Sequence, residues 1–118
     1  MAQTLEQKRA QHAWNKAQEG VARHGKEYVN DAKGLPALIM NSGLMQVMAF
    51  LHEKGGQHEV LATHLRDWLH QQKNTPTDFD GFMKTLLTLP ARDFQAITTE
   101  AFAWLKWLRQ IAPALAKE

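Results

Sequence analysis

Leucine and alanine dominate the apolar residues of this chain, and this imbalance constrains its fold more than any other feature. The two residues together number 30, whereas valine and isoleucine together number seven. Leucine and alanine favour helices, and β-branched residues fit strands better. No segment alternates apolar and polar residues in a strand pattern. The sequence therefore predicts an all-α fold, and its length of 118 residues predicts one domain over residues 1–118.

Helical spacing of the apolar residues predicts a compact bundle of five or six helices. The first helix is predicted to begin at Thr4, which forms a capping box with Gln7, and to end near Gly25. A short continuation is predicted to end near Gly34, and Pro36 is placed in the first turn of the next helix. The predicted core face of the first helix consists of Ala10, Ala13, Trp14, Ala17 and Val21.

Later breaks in the pattern place the remaining helices. Residues 41–43, Asn-Ser-Gly, are predicted to end or kink the second helix, and Ser42 can cap the third. Only Gln46 is polar between residues 44 and 51, so the third helix is predicted to lie in the middle of the bundle. The other predicted helices run from about His58 to Gln72, from Phe79 to Leu86, and from Pro90 until Pro113 ends the last one.

The residues that could carry catalysis or bind a metal are not grouped. Histidines at positions 52, 58, 64 and 70 are six apart, and six residues turn a helix by about 240°. They do not share a face, so they are predicted to be solvated helix histidines rather than metal ligands. Asp78 and Asp80 flank the start of a helix, where capping is the favoured role. We expect no enzyme activity, metal, cofactor or small-molecule substrate.

Composition also indicates where the protein works. No cysteine occurs, which excludes disulfides, thiolate metal sites and cysteine nucleophiles and fits a reducing compartment. No run of about 18 apolar residues is present, and the N-terminal residues lack a basic-then-apolar signal pattern. We therefore expect a cytoplasmic protein without membrane contact.

Basic residues on the first helix suggest contact with a phosphate backbone. Arg9, Lys16 and Arg23 are spaced by seven and share, with His12, an arc that is predicted to lie away from the core face. Lys8 and Lys26 lie at one edge of this arc, and residues 1–33 hold the entire net charge of +2. Such a stripe can follow a phosphate backbone. The alternative is a solvated face on which Glu19 pairs with its basic neighbours.

Trp107 lies off the apolar stripe of the last helix, with Ile111 on the same side. An indole in such a position either packs under another helix or anchors a partner protein. The sequence leaves both interpretations open.

As a whole, the chain resembles the small helical subunit of the type III-B CRISPR effector, the Cmr complex. The most specific stretch combines a Leu-Pro opening, an Asn-x-Gly-Leu kink and an Ala-Phe-Leu run that ends in lysine. Only residues 71–89 are unmatched. The matching residues are Glu6–Ala10, Leu35–Leu44, Gln46, Ala49–Leu51, Lys54, Trp68-Leu69, Phe94, Thr99–Ala101 and Trp104–Leu108.

The resemblance implies a non-catalytic subunit that stacks into a filament beside the subunits that hold the guide RNA. The expected partners are other Cmr subunits, further copies of the chain, and the backbones of guide and target RNA. The candidate RNA-binding residues are Lys8, Arg9, Lys16, Arg23, Lys26 and Lys54. The alternative function is a helical protein–protein interaction module without an RNA role, which uses Trp107 and Ile111.

Overall fold

Six α-helices occupy most of residues 2–117, the part of the chain that the computed structural model describes. No strand occurs in this range, which confirms the prediction of an all-α bundle of five or six helices. The predicted domain includes Met1 and Glu118, which lie outside the described residues, and its single-domain character stays a prediction. The helices are α1 (Leu5–His24), α2 (Lys26–Ser42), α3 (Leu44–Lys54), α4 (Gly56–Lys73), α5 (Phe79–Thr88) and α6 (Ala91–Ala116).

Helix starts follow the predicted capping residues in two places. Thr4 and Gln7 form the reciprocal capping box of α1, with hydrogen bonds of 2.8 and 3.0 Å. Asp78 caps α5 by accepting a hydrogen bond of 2.8 Å from the backbone N–H of Gly81. The predicted cap at Ser42 is wrong, because Gly43 precedes α3 and no side chain caps that helix.

The break between α2 and α3 depends on a backbone conformation that suits glycine. Gly43 has φ of +85°, in a region that side chains with a Cβ rarely adopt. This single residue turns the chain from one helix into the next, which confirms the predicted interruption at residues 41–43.

Two predicted helix boundaries are wrong because tertiary packing overrides local preference. α2 continues through Gly34 and Pro36, since the flanking Leu35 and Ile39 are buried in the core and hold this segment helical. α6 continues past Pro113 to Ala116, although proline removes one hydrogen bond of the helix.

One hydrophobic cluster receives residues from all six helices. α6 packs mainly against α1 and α2, whereas α3 packs against α4, α2 and α5. The predicted central position of α3 is therefore wrong: its face with Leu44 and Leu51 is buried, but Phe50 is 43% exposed. Trp14, predicted for the core face of α1, is 44% exposed, because Ala13 and Ala17 are the residues that face inward.

Candidate RNA and protein interfaces

Three of the six candidate RNA-binding cations are free of carboxylate partners within residues 2–117. Lys8 and Lys26 are exposed at the N-terminal parts of α1 and α2. Lys54 is exposed at the end of α3, and its Nζ lies 5.7 Å from the centre of the Phe50 ring. These ammonium groups are accessible to a polyanion.

Two other candidate cations have long, solvent-accessible ion pairs. Lys16 Nζ lies 3.9 Å from Asp67 Oδ2 on α4, and Arg23 Nη1 lies 3.9 Å from Glu19 Oε2. The Glu19–Arg23 pair is the one that the sequence spacing offered as an alternative to RNA contact. The Arg23–Glu19 pair is exposed and the Lys16–Asp67 pair is half-buried. Pairs that water reaches contribute about 0.2–1 kcal/mol, so a phosphate can compete for either cation.

Arg9 is held by carboxylates of its own chain. Its Nε and Nη2 donate to the two carboxylate oxygens of Glu100 at 2.7 and 2.9 Å, and Nη1 donates to Glu6 Oε1 at 3.1 Å. Trp68 Nε1 also donates to Glu100, at 3.0 Å. Burial opposes ionisation of Glu100, but the hydrogen bonds from Arg9 and Trp68 outweigh it and lower the pKa of Glu100. Arg9 therefore joins α1 to α6, and its contact with RNA stays a prediction.

His12 belongs to the core rather than to an exposed arc, so its predicted position away from the core is wrong. α4 and α6 cover it, leaving 8% of its surface exposed. The indole N–H of Trp104 donates to Nδ1 at 2.9 Å, so Nε2 carries the proton and donates to Asp67 at 2.7 Å. Burial lowers the pKa of His12, although the hydrogen bond to Asp67 opposes this shift.

His64 is also buried, which contradicts its predicted solvated position. Its neighbours Leu61 and Leu65 face the core, and helical geometry carries His64 inward with them. Nδ1 lies 2.8 Å from the Tyr28 hydroxyl, and Nε2 lies 3.4 Å from Glu19 Oε1. Burial lowers the pKa of His64 to about 4. Within residues 2–117 no three histidine, aspartate or glutamate side chains form a group that could hold a metal ion.

Trp107 and Ile111 line an open surface groove, which we call the α1–α6 groove. Trp107 is half-buried, and its indole N–H donates to Glu6 Oε2 at 3.1 Å. Its role as a protein contact stays a prediction. The groove has a volume of about 540 Å³ and is lined by Gln3, Gln7, Ala10, Gln11, Trp14, Trp107 and Ile111.

A second open cleft, the α2–α3 cleft, lies between the helices for which it is named. It has a volume of about 210 Å³ and is lined by Leu38, Ser42, Gln46, Val47 and Phe50. Leu38 and Phe50 are 42% and 43% exposed. The sequence signal for this cleft is the absence of any charged side chain between residues 34 and 51.

The fold and these surfaces define a small all-α protein with uncharged surface clefts and with several lysines that have no carboxylate partner within residues 2–117. None of the helices in residues 2–117 has both the length and the apolar character needed to span a membrane. The family model described as CRISPR-associated protein (Cas_Cmr5) matches residues 5–115. The chain therefore belongs to the Cmr5 family, the small subunits of the type III-B Cmr complex, and it is a Cmr subunit in CRISPR defence.

Individual relatives agree with this assignment. The CRISPR system Cmr subunit Cmr5 of Thermus thermophilus is 28% identical over 111 residues, which cover 92% of this chain and 93% of the relative. The Cmr5 subunit of Thermotoga maritima is 30% identical over 115 residues, covering 95% and 84%. The crystal structure of a Cmr5 family protein from Thermus thermophilus superposes with a TM-score of 0.81 at 26% identity, covering 98% of this chain and all of that chain.

Proposed function

We propose that this chain is a non-catalytic, cytoplasmic subunit of the type III-B effector that stacks with further copies of itself. The stack lies beside other Cmr subunits and lines the groove that holds the duplex of guide and target RNA. The observation that carries the proposal is the family match over residues 5–115, which includes all six helices except the last residue of α6. In this arrangement base pairing reads the sequence, and the protein contacts the backbone.

The RNA contact is assigned first to Lys8, Lys26 and Lys54, whose ammonium groups have no carboxylate partner in the described residues. Lys16 and Arg23 come second, because each must leave an ion pair of 3.9 Å. Arg9 comes last, because its guanidinium is bound to Glu100. Each phosphate contact is weak, and stacked copies add their contacts along one duplex.

Charge reversal in the assembled complex tests the RNA contact. The double variant Lys8→Glu/Lys26→Glu is compared with Lys84→Glu/Lys106→Glu, which removes the same charge from exposed lysines outside the predicted set. We expect RNA retention by the first variant to fall about tenfold at moderate salt, with a shallower salt dependence. Equal retention by both variants would contradict the assignment. Lys54→Glu is measured separately, because Lys54 contacts Phe50.

The absence of catalysis is part of the proposal. The two buried histidines already have hydrogen-bond partners inside the fold, namely Trp104 and Asp67 for His12 and Tyr28 for His64. Incubation of the purified chain with labelled RNA, with and without Mg²⁺, is expected to leave the RNA intact. Turnover that scales with the protein through successive purification steps would overturn this part of the proposal.

The second candidate function, an interaction module without an RNA role, is favoured by the α1–α6 groove, where Trp107 and Ile111 are accessible. Purification of the chain from its native host distinguishes the two candidates. Recovery with guide RNA and Cmr subunits supports the first, and recovery with unrelated proteins and no RNA supports the second.

A further inference from the structure

We propose that a pocket between the end of α4, α5 and the start of α6 binds a small zwitterion, namely a free α-amino acid with an apolar side chain. This α4–α6 pocket has a volume of about 280 Å³. Pockets for drug-sized ligands measure about 300–1,000 Å³, so this one suits a smaller molecule. Most of its lining residues fall within positions 71–89, which contain none of the residues that carry the resemblance to the Cmr small subunit. The proposal goes beyond the proposed function and does not depend on it.

The exposed part of the α4–α6 pocket contains one cation and one anion that are not paired. Lys73 is the last residue of α4, and Asp93 lies in the first turn of α6. Within residues 2–117 neither side chain forms an ion pair with an opposite charge. The ammonium group of Lys73 is therefore available to a carboxylate, and the carboxylate of Asp93 is available to an ammonium group. A free α-amino acid supplies both groups in one molecule.

The inner wall of the pocket is apolar. It consists of Leu89, Ala96 and Ile97. Ile97 is 4% exposed and belongs to the hydrophobic core, and Leu89 packs against that core. An apolar side chain of the ligand gains free energy when this wall removes it from water. The wall therefore favours an amino acid such as leucine over glycine.

The same pocket contains a buried hydroxyl group without a partner. Thr75 is 3% exposed, and its Oγ1 has no hydrogen-bond partner within residues 2–117. A buried polar group that forms no hydrogen bond costs free energy, and a ligand that supplies the bond recovers it. Because a hydroxyl both donates and accepts, it can bind either charged end of a zwitterion.

The loop that carries Thr75 is held in place by the protein itself. His70 Nδ1 donates to the backbone oxygen of Thr75 at 2.9 Å, and Arg66 Nε donates to the backbone oxygen of Thr77 at 2.8 Å. Asn74 has φ of +59°, and its backbone N–H donates to the backbone oxygen of His70 at 2.9 Å. These bonds fix the wall of the pocket without a ligand, which lowers the entropic cost of binding.

Probes of related structure test which parts of the ligand are bound. L-Leucine carries both charges, N-acetyl-L-leucine lacks the ammonium group, L-leucinamide lacks the carboxylate, and glycine lacks the side chain. Each is titrated into the purified full-length chain, and backbone amide signals are followed by NMR. We expect leucine to cause saturable shifts at residues 73–75 and 93–97, and each of the other probes to bind at least about tenfold more weakly. Absence of these shifts with leucine, or equal affinity for any other probe, would overturn the proposal.

Substitutions in the pocket assign its contacts. Lys73→Gln and Asp93→Asn remove the two charges, and each is expected to weaken leucine binding at least about tenfold. The matched controls, Lys84→Gln and Asp80→Asn, make the same changes on α5 outside the pocket and are expected to leave binding unchanged. Thr75→Val is expected to weaken leucine binding without lowering stability in urea, since the hydroxyl has no partner in the free chain. Unchanged leucine binding by any of the three pocket variants would overturn the proposal.

Discussion

Two regions of this small bundle are held together by opposite means. Where α1 meets α4 and α6, the interior contains the Arg9–Glu100 ion pair and His12, each bound by a tryptophan N–H. In the segment of residues 34–51 no charged side chain occurs, and burial of Leu35, Leu44 and other apolar residues supplies the stability. In the first region, which we call the polar region, hydrogen bonds between side chains link α1 to α6 and α4 to α6. In the second region, which we call the apolar region, some apolar side chains are left exposed, among them Leu38 and Phe50, and they line the α2–α3 cleft.

The largest expected effect comes from breaking the ion pair of the polar region. Glu100→Ala leaves the Trp68 N–H without a partner and leaves the Arg9 guanidinium with Glu6 as its only carboxylate partner in the described residues, at a site that is largely buried around Glu100. We expect a loss of about 3–5 kcal/mol in the free energy of unfolding, measured by urea titration.

The matched control removes the exposed carboxylate that binds the same arginine. Glu6→Ala leaves Arg9 paired with Glu100, and we expect a loss below about 1 kcal/mol. A double variant, Arg9→Met/Glu100→Leu, is expected to recover much of the stability that Glu100→Ala loses, because no buried charge is left unpaired. Equal losses for Glu6→Ala and Glu100→Ala would show that the polar region does not depend on its buried ion pair.

In the apolar region, removal of a buried side chain has a smaller expected effect that does not depend on pH. Leu44 is 1% exposed, and Leu44→Ala is expected to cost about 2–4 kcal/mol through lost burial and the cavity that remains. Leu38→Ala, at a 42% exposed position one helix earlier, is expected to cost less than about 1 kcal/mol. Similar losses for both variants in urea unfolding would contradict the burial assigned to Leu44.

The sequence predicted helix ends correctly where interactions between nearby residues determine them. The Thr4–Gln7 box, the Asp78 cap and the break at Gly43 each depend on residues within four positions, so they can be found from sequence. Gly34 and Pro36 misled the prediction because the burial of their neighbours, a tertiary effect, decides whether the helix continues.

The candidate sites could be predicted only in part. Seven-residue spacing identified the cations of α1, but Arg9 and Glu100 are separated by 91 positions, and no local pattern indicates their pairing. The same holds for His12 and Trp104, which are 92 positions apart. For Trp107 the off-stripe position left two interpretations open, packing under another helix and contact with a partner protein, and its position in the groove is seen only in the structure. Trp14 was assigned to the core because it neighbours Ala13 in the helical pattern, but it is 44% exposed.

Acid is expected to destabilise the fold through two buried histidines, His12 in the polar region and His64, which is hydrogen-bonded to Tyr28 of α2. The pKa values of His12 and His64 are lowered in the folded chain, the latter to about 4. The titratable neighbours of His12 are Asp67, Lys16 and His64. Those of His64, besides His12 and Lys16, are Tyr28 and Glu19. As pH falls below the ordinary value of 6.5, the unfolded chain binds protons that the folded chain does not, so stability falls.

The size of this acid effect follows from the lowered pKa. His64 alone is expected to contribute a loss of roughly 3 kcal/mol between pH 6.5 and 4, since one pKa unit corresponds to about 1.4 kcal/mol. Glu100, whose pKa is also lowered, adds to the loss below pH 4.5. Urea unfolding midpoints at several pH values measure this loss of stability. We expect the stability of the His64→Gln variant to fall less steeply with decreasing pH. Parallel curves for the variant and the unmodified chain would contradict the assignment to His64.

The smallest effects come from two glycine substitutions, one on α1 and one in the uncharged segment of residues 34–51, and they are expected to have opposite signs. A Cβ at Gly20 would fall on the ring of Tyr28, which is fully buried and bound to His64, so the ring must shift. Gly20→Ala is therefore expected to cost about 1–3 kcal/mol. A Cβ at Gly34 meets nothing within 4 Å, and the residue is helical, so Gly34→Ala is expected to add about 0.5–1 kcal/mol. The free energy of unfolding of both variants is measured by urea titration.

The two variants control for each other, because glycine is replaced by alanine inside a helix in both. The contact with Tyr28 is the difference between the two sites. Equal effects on stability would show that Gly20 and Tyr28 are not in close contact.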